Sequence, residues 1–336
     1  MKVLFYHLKP FSLTHGGLQT QILQTRKGLE QQGVECDYLR WWDDRETGDI
    51  LHFFGRMPTP MLRMAHQKGM KVVLSDLLTE QGSRPDWRLK LQRMIMRAMA
   101  QGLPDVFTAS YYWDAYRLAD ACVALTSWEA RLMTDLFGAP TKKTHVVPNG
   151  VEDVFLSSLP DQRGPWLVCT STITERKRIL ELAEAAVLAK VPIWVIGKPY
   201  SEGDPYAERF LGLTRDHASI IRYEGPIGDR AKLAEVYRRA RGFVLLSAME
   251  SLSLSALEAA ACGCPLLLSD LPWAGTVFGP NAAYCPVTSS VARTAGFLRK
   301  FYDEAPGLKP PPKPQTWLEV GKQLKNIYES LPHACA

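Results

Sequence analysis

Seven cysteines stand at 36, 122, 169, 262, 264, 285 and 335, odd in number and scattered, and none forms a Cys-x-x-Cys pair. A disulfide framework is therefore not expected. Cys262-Gly263-Cys264 has no second ligand cluster beside it and reads as small buried residues. Long apolar runs are lacking too. The longest, around 252–268, is broken by Glu258, Gly263 and Pro265, which excludes an ordinary membrane span of about 20 apolar residues. No charged leader or cleavage site accompanies the opening Met1-Lys2-Val3-Leu4-Phe5-Tyr6-His7. With reduced thiols, that predicts the cytoplasm. No Gly-x-Gly-x-x-Gly follows either first strand, which argues against a nicotinamide-dependent dehydrogenase. Charge is modest, at 22% against 46% hydrophobic residues, a globular composition. The net +5 is uneven: residues 1–150 hold 19 basic and 15 acidic side chains, residues 151–336 hold 21 and 20. That balance does not argue for nucleic acid but favours an anionic partner of the first half.

At 336 residues the chain has room for two domains of about 150 each. Strand-like segments at 2–7, 35–41, 49–54, 71–75, 121–126 and 144–148 alternate with helical patterns. Leu18, Ile22 and Leu29 share one face of the first helix, and Gly33 is a plausible stop. Asn149-Gly150, Pro160 and Gly164-Pro165 then mark a break. The alternation restarts, with strands at 166–170, 193–197, 219–223, 242–246 and 265–268. It predicts an α/β protein of two Rossmann-like domains, 1–155 and 156–308, facing a central cleft. Residues 309–314 read as a stiff Pro-rich linker. Beyond it, Trp317, Val320, Leu324, Ile327 and Leu331 recur at helical spacing. A helix at about 315–332 must bury that stripe, and the reading takes it back to the first domain.

The densest chemistry lies between Leu245 and Pro265. A buried strand ends, a helix begins near 251–253, Glu250 falls just before it and Glu258 about two turns in. Unpaired first-turn N–H groups make a ready anion site. Glu258 could accept hydrogen bonds from vicinal hydroxyls such as those of ribose, and Glu250 lies at the rim. From spacing alone, a capping role for Glu250 and Ser251 with a solvated Glu258 is the plainer reading.

This segment resembles the motif of retaining family 4 glycosyltransferases (glycosyl transferases group 1) of GT-B fold: a serine, a glutamate, seven residues, a second glutamate, a small-residue run and Gly-x-Pro. Other pieces follow in the family's order. Gly16-Gly17 resembles its glycine-rich donor loop, Val146-Val147-Pro148-Asn149-Gly150-Val151 the close of its first domain, and Tyr223-Glu224-Gly225-Pro226-Ile227 the loop under the base. The resemblance implies transfer of a sugar from a nucleotide-diphosphate donor to a glycan, lipid-linked or small-molecule acceptor, with retained configuration. Glu258 would hold the ribose and Glu250 the sugar. The amides of Ser251, Leu252 and Ser253, with Gly16 and Gly17, would face the diphosphate. Gly225, Pro226 and Ile227 would line the base. Lys177 matches the family's diphosphate-binding lysine. The partner arginine would fall at Ser171 or Thr172, so Arg176 or Arg178 takes over, or the hydroxyls suffice. A solvated basic turn is the plainer alternative. Asp76 stands in the place of the family's strand-end histidine, where it binds a hydroxyl or caps its loop.

No Asp-x-Asp pair occurs, so no metal and no cofactor are expected, the helix dipole and Lys177 standing in for a cation. A nucleotide-sugar epimerase or hydrolase, or a non-catalytic scaffold, are the competing functions. On the acceptor side, Arg84, Arg88, Lys90, Arg93 and Arg97 face one acid, Asp86, while Trp87, Leu91, Met94, Ile95, Ala98 and Met99 recur at helical spacing. Two readings stay open for 84–101: an apolar stripe packed on its own domain, or peripheral contact with an anionic inner membrane face.

Overall fold

The computed structural model describes residues 1–8, 11, 16–102, 111–156 and 162–332. Cys335 lies outside the described residues. Backbone proximity divides the chain into two compact units, Met1–Gly150 with Trp317–Ala336, and Val151–Thr316.

In the first unit six parallel strands run in the order β2-β1-β3-β4-β5-β6. They are β1 Lys2–Tyr6, β2 Glu35–Tyr38, β3 Ile50–Phe54, β4 Lys71–Ser75, β5 Ala121–Ala124 and β6 Thr144–Val146. β3 is buried along its whole length, as expected of a parallel strand covered on both faces. Leu4, Leu51, Phe53, Val72, Leu74 and Tyr116 belong to the core that results. The helix Ser127–Phe137 is capped by Thr126, whose hydroxyl oxygen accepts from the Glu129 amide at 3.1 Å. The buried Glu129 carboxylate in turn accepts from the amides of Leu78 and Leu125 at 3.2 and 3.1 Å.

The tail helix Trp317–Ser330 belongs to this unit and lies against the opening helix Gly17–Glu30. Its stripe of Trp317, Val320, Leu324 and Ile327 is buried, as is Leu331 just beyond it. The two helices touch backbone to backbone, since a Cβ on Gly28 would overlap the Trp317 carbonyl and one on Gly321 would overlap Gly28. Tyr328 then reaches into the sheet, where its hydroxyl lies 2.6 Å from His52 Nδ1, and Ser75 Oγ lies 2.7 Å from Nε2. Burial pulls the His52 pKa down to about 3, so the ring is neutral at pH 7.

The second unit holds six more parallel strands: β7 Leu167–Thr170, β8 Ile193–Ile196, β9 Ile221–Tyr223, β10 Gly242–Leu245, β11 Leu266–Ser269 and β12 Ala283–Cys285. Read from one edge the order is β9-β8-β7-β10-β11-β12. The first strand of the unit is central, and winding reverses between β7 and β10. That arrangement leaves a crevice beyond the carboxyl ends of those two strands, where ligands of such sheets bind. β12 was not foreseen from sequence.

The α/β class and paired Rossmann-like sheets are as expected. The six described cysteines are all free and buried. Among the described residues, no helix is long and apolar enough to cross a membrane.

Candidate active site

The loop after β7 carries Ser171, Thr172, Arg176 and Lys177; the loop after β10 carries Glu250. Two hydrogen bonds lace them together: the Ala248 amide donates to the Arg176 carbonyl at 2.8 Å, and the side-chain Arg176 Nη1 donates to the Met249 carbonyl at 2.9 Å. Glu250 is buried, and Lys177 Nζ donates to its carboxylate, with Arg176 Nη1 3.4 Å from the same oxygen. Two cations therefore meet one carboxylate at the reversal point, leaving an excess of positive charge. The expected residues Glu250, Lys177 and Arg176 are brought together.

Arg178 is not part of this cluster. Its guanidinium donates to the carbonyls of Val287 and Ser289 at 2.7 and 3.1 Å. It braces the loop after β12, and its backbone, at φ 54°, opens the helix Ile179–Ala189. Ser171 Oγ turns back to the Thr172 carbonyl at 3.2 Å. The Gly197 amide donates to the Gly225 carbonyl at 3.2 Å, which joins the loops after β8 and β9. Gly225 itself sits at φ 80°.

The helix beyond Glu250 starts later than expected. It spans Leu254–Ala261, and Ser253 is its cap, accepting from the Ala256 amide at 3.3 Å. Ser251, Leu252 and Ser253 form the turn before it, so Glu258 lies about one turn inside rather than two. Nor is Glu258 solvated. It is buried, Arg230 Nη2 donates to one of its oxygens, and Tyr237 Oη lies 3.4 Å from the other. Burial raises its pKa, against the pull of Arg230. Arg230 also donates to Glu152 at 2.7 Å. Sequence reasoning missed Arg230, which carries no motif; its place at the start of the helix Arg230–Arg239 is the one available signal.

In the first unit, Gly16 precedes the helix Gly17–Glu30 with φ 141°, a backbone that disfavours a side chain. Asp76 stands past β4. Tyr116 Oη donates to it, and Arg56, just past β3, lies 3.6 Å from the same oxygen and 3.1 Å from Tyr116 Oη. Burial lifts the Tyr116 phenol well above its ordinary pKa, so it stays a donor. Sequence reasoning missed both partners of Asp76. It also missed His7, past β1, whose Nδ1 lies 2.6 Å from the Phe54 carbonyl. A carbonyl only accepts, so Nδ1 carries the proton and Nε2 of the neutral ring is an acceptor. His7, Tyr6, Phe11, Tyr38 and Trp41 line a cavity of about 420 Å³ at the carboxyl ends of β1 and β2. Among the described residues, no three His, Cys, Asp or Glu side chains gather as a metal cluster.

Two parallel six-stranded sheets, with winding reversed beside a cationic strand-end loop, form the GT-B architecture of glycosyltransferases. Solved structures bear this out at the level of fold. The Anabaena protein HepE, crystallised with UDP and glucose, superposes with a TM-score of 0.65 over 98% of this chain and 100% of its own, at 14% identity. Sucrose-phosphate synthase from Thermosynechococcus elongatus gives 0.64 over 98% of each chain at 17% identity. Residues 164–298 match the family described as Glycosyl transferases group 1, which upholds the resemblance read from sequence. A D-inositol 3-phosphate glycosyltransferase of Actinosynnema mirum is 32% identical over 170 residues, 44% of this chain and 40% of its own length. Another, from Jonesia denitrificans, is 28% identical over 63% of this chain and 50% of its own. The chain thus spans about half or less of the length of these curated relatives.

Proposed function

We propose that the protein is a retaining glycosyltransferase of family 4 that moves a sugar from a nucleoside-diphosphate donor to a glycan, lipid-linked or small-molecule acceptor. The observation that carries this reading is the Lys177–Arg176–Glu250 cluster at the reversal point between β7 and β10. When the bond from the anomeric carbon to the diphosphate breaks, charge builds on the leaving phosphate. Lys177 and Arg176 are fixed cations at the place a strand-end ligand occupies, and such preorganised charge supplies much of a transfer enzyme's rate. The amides of Ser251, Leu252 and Ser253, in the turn before the helix, are proposed to donate to the diphosphate as well. Glu250, which both cations engage, is proposed to take the sugar's hydroxyls. Glu258, oriented by Arg230 and Tyr237, is proposed to hold the ribose.

With Lys177 and Arg176 against the diphosphate, the reaction is proposed to need no metal. The HepE structures with UDP-glucose and with UDP and glucose support a nucleotide-sugar donor. The relatives' name makes an inositol phosphate a candidate acceptor. The proposed site of action is the cytoplasm. Asp76, with Arg56 and Tyr116, and the His7 cavity are the proposed acceptor-side groups of the first unit.

A thermal-shift panel of UDP, GDP, ADP, CDP and dTDP tests the reading. Stabilisation by one nucleotide is expected, with calorimetric affinity falling in Glu258→Ala. Stabilisation by none would reject transfer in favour of a non-catalytic scaffold. Binding followed by donor turnover without an acceptor would favour the epimerase or hydrolase alternative.

A further inference from the structure

The helix Asp86–Gly102 has two apolar faces, and the first unit uses one of them. Leu89 and Met96, each 7% exposed, pack into the core, with Gln92 between them donating to the Met96 sulfur at 3.6 Å. The stripe picked out in the sequence is the other one. Trp87 is 62% exposed, Leu91 46%, Met94 66% and Ile95 50%, and Ala98 is exposed with them. Packing of that stripe on its own domain is therefore corrected: Leu89 and Met96 serve the core in its place. At about 100° per residue the five exposed apolar positions fall within one arc roughly 100° wide.

The charges are placed with equal regularity. The same rotation sets Arg88 at one edge of the arc, and Lys90 and Arg97 at the other. All three are exposed. Arg93 is turned to Asp135 at 3.8 Å, and Arg84 is engaged by Glu80 and Gln92. The Arg88 guanidinium lies 5.1 Å from the Trp87 ring centroid. The one acid of the helix, Asp86, sits at its first residue. An exposed apolar arc flanked on both sides by long cationic side chains matches the boundary of an anionic bilayer. Apolar groups enter the acyl edge there, and arginine and lysine reach up to phosphates. A protein partner would meet the arc but would leave the cations on both flanks without a regular counterpart.

We propose that this face docks the first unit on an anionic membrane surface, the helix lying in the headgroup plane with Trp87, Leu91, Met94, Ile95 and Ala98 inward. The proposal needs no particular reaction at the candidate active site.

The test is cosedimentation of the full chain with phosphatidylcholine vesicles, with and without phosphatidylglycerol. Binding is expected at low salt on the anionic vesicles and is expected to weaken as salt rises. Met94→Asp with Ile95→Asp should abolish it. Each of Arg88→Gln, Lys90→Gln and Arg97→Gln should weaken it by about fivefold, the share of one cation near an anionic surface. All five side chains are exposed, so melting temperatures should match the parent and folding failure would be visible. Bromolipid quenching of tryptophan should fall in Trp87→Phe. Absence of binding at low salt overturns the proposal, as does binding unchanged in the Met94→Asp/Ile95→Asp variant. So does a dimer in sedimentation equilibrium that this variant dissolves, because the face would then belong to a second copy.

Discussion

The two sheets follow one plan and place opposite chemistry at their strand ends. In the second unit the ends of β7 and β10 carry carboxylates held by cations, Glu250 by Lys177 and Arg176, Glu258 by Arg230. In the first unit the polar groups past β1, β3 and β4 are held by neutral or aromatic partners. Asp76 takes the phenol of Tyr116, and His7 is fixed by a carbonyl. Arg56 is the exception, and it lies 4.3 Å from the centroid of the Phe137 ring. A fold of this kind is a scaffold, and the loops decide its use. The second unit sets buried carboxylates against cations at its strand ends; the first mixes one ion pair, Arg56 with Asp76, with phenol and carbonyl contacts.

That contrast can be broken. Removing the cation should damage chemistry first in the second unit. Lys177→Ala is expected to cost about 2–4 kcal/mol of transition-state stabilisation, roughly thirty- to nine-hundredfold in turnover. Turnover at the parent rate would reject its placement against the leaving phosphate. The first unit should behave the other way, losing stability first. Gly321→Ala forces a Cβ onto the Gly28 backbone and should cost about 3 kcal/mol, the upper end for overpacking. Denaturant unfolding measures it, and an unchanged midpoint would show that the helices can separate freely.

The smallest effect sharpens the comparison through pH. His52 has a folded pKa of about 3 against an ordinary 6.5. Between those values the unfolded chain binds a proton and the folded chain does not, so stability falls as pH drops through that window. From pH 7 to pH 5 the loss should be about 2 kcal/mol. His52→Phe should be less stable at neutral pH, for want of its hydroxyl partners, but flatter in its acid limb. An acid limb as steep as the parent's would assign the effect to other groups.

Much of this was legible because parallel strands buried on both faces read as short apolar runs. Val72-Val73-Leu74 and Phe243-Val244-Leu245 are strands by composition alone. β12 escaped because its three residues, Ala283–Cys285, sit between Gly279-Pro280-Asn281 and Pro286 and have no room for a pattern. The stripe of the tail helix was readable since one face alone is apolar. The helix Asp86–Gly102 was not, because two apolar faces give one periodicity and burial chooses between them. At the candidate site, the family resemblance pointed to Lys177, Glu250 and Glu258, whose motifs are local in sequence. It could not find Arg230, 28 residues from Glu258, or Tyr116, 40 residues from Asp76. Those pairings exist only once the sheets are wound.

The tail helix has a consequence in time. The face of the opening helix that meets Trp317–Ser330 has no cover until that segment has been synthesised, roughly 170 residues after Gly150, or about 10–30 s at ribosomal speed. The unit Val151–Thr316 is meanwhile complete in sequence. Of these two units, the one whose synthesis starts earlier is the one completed later, and for that interval its apolar flank stays uncovered.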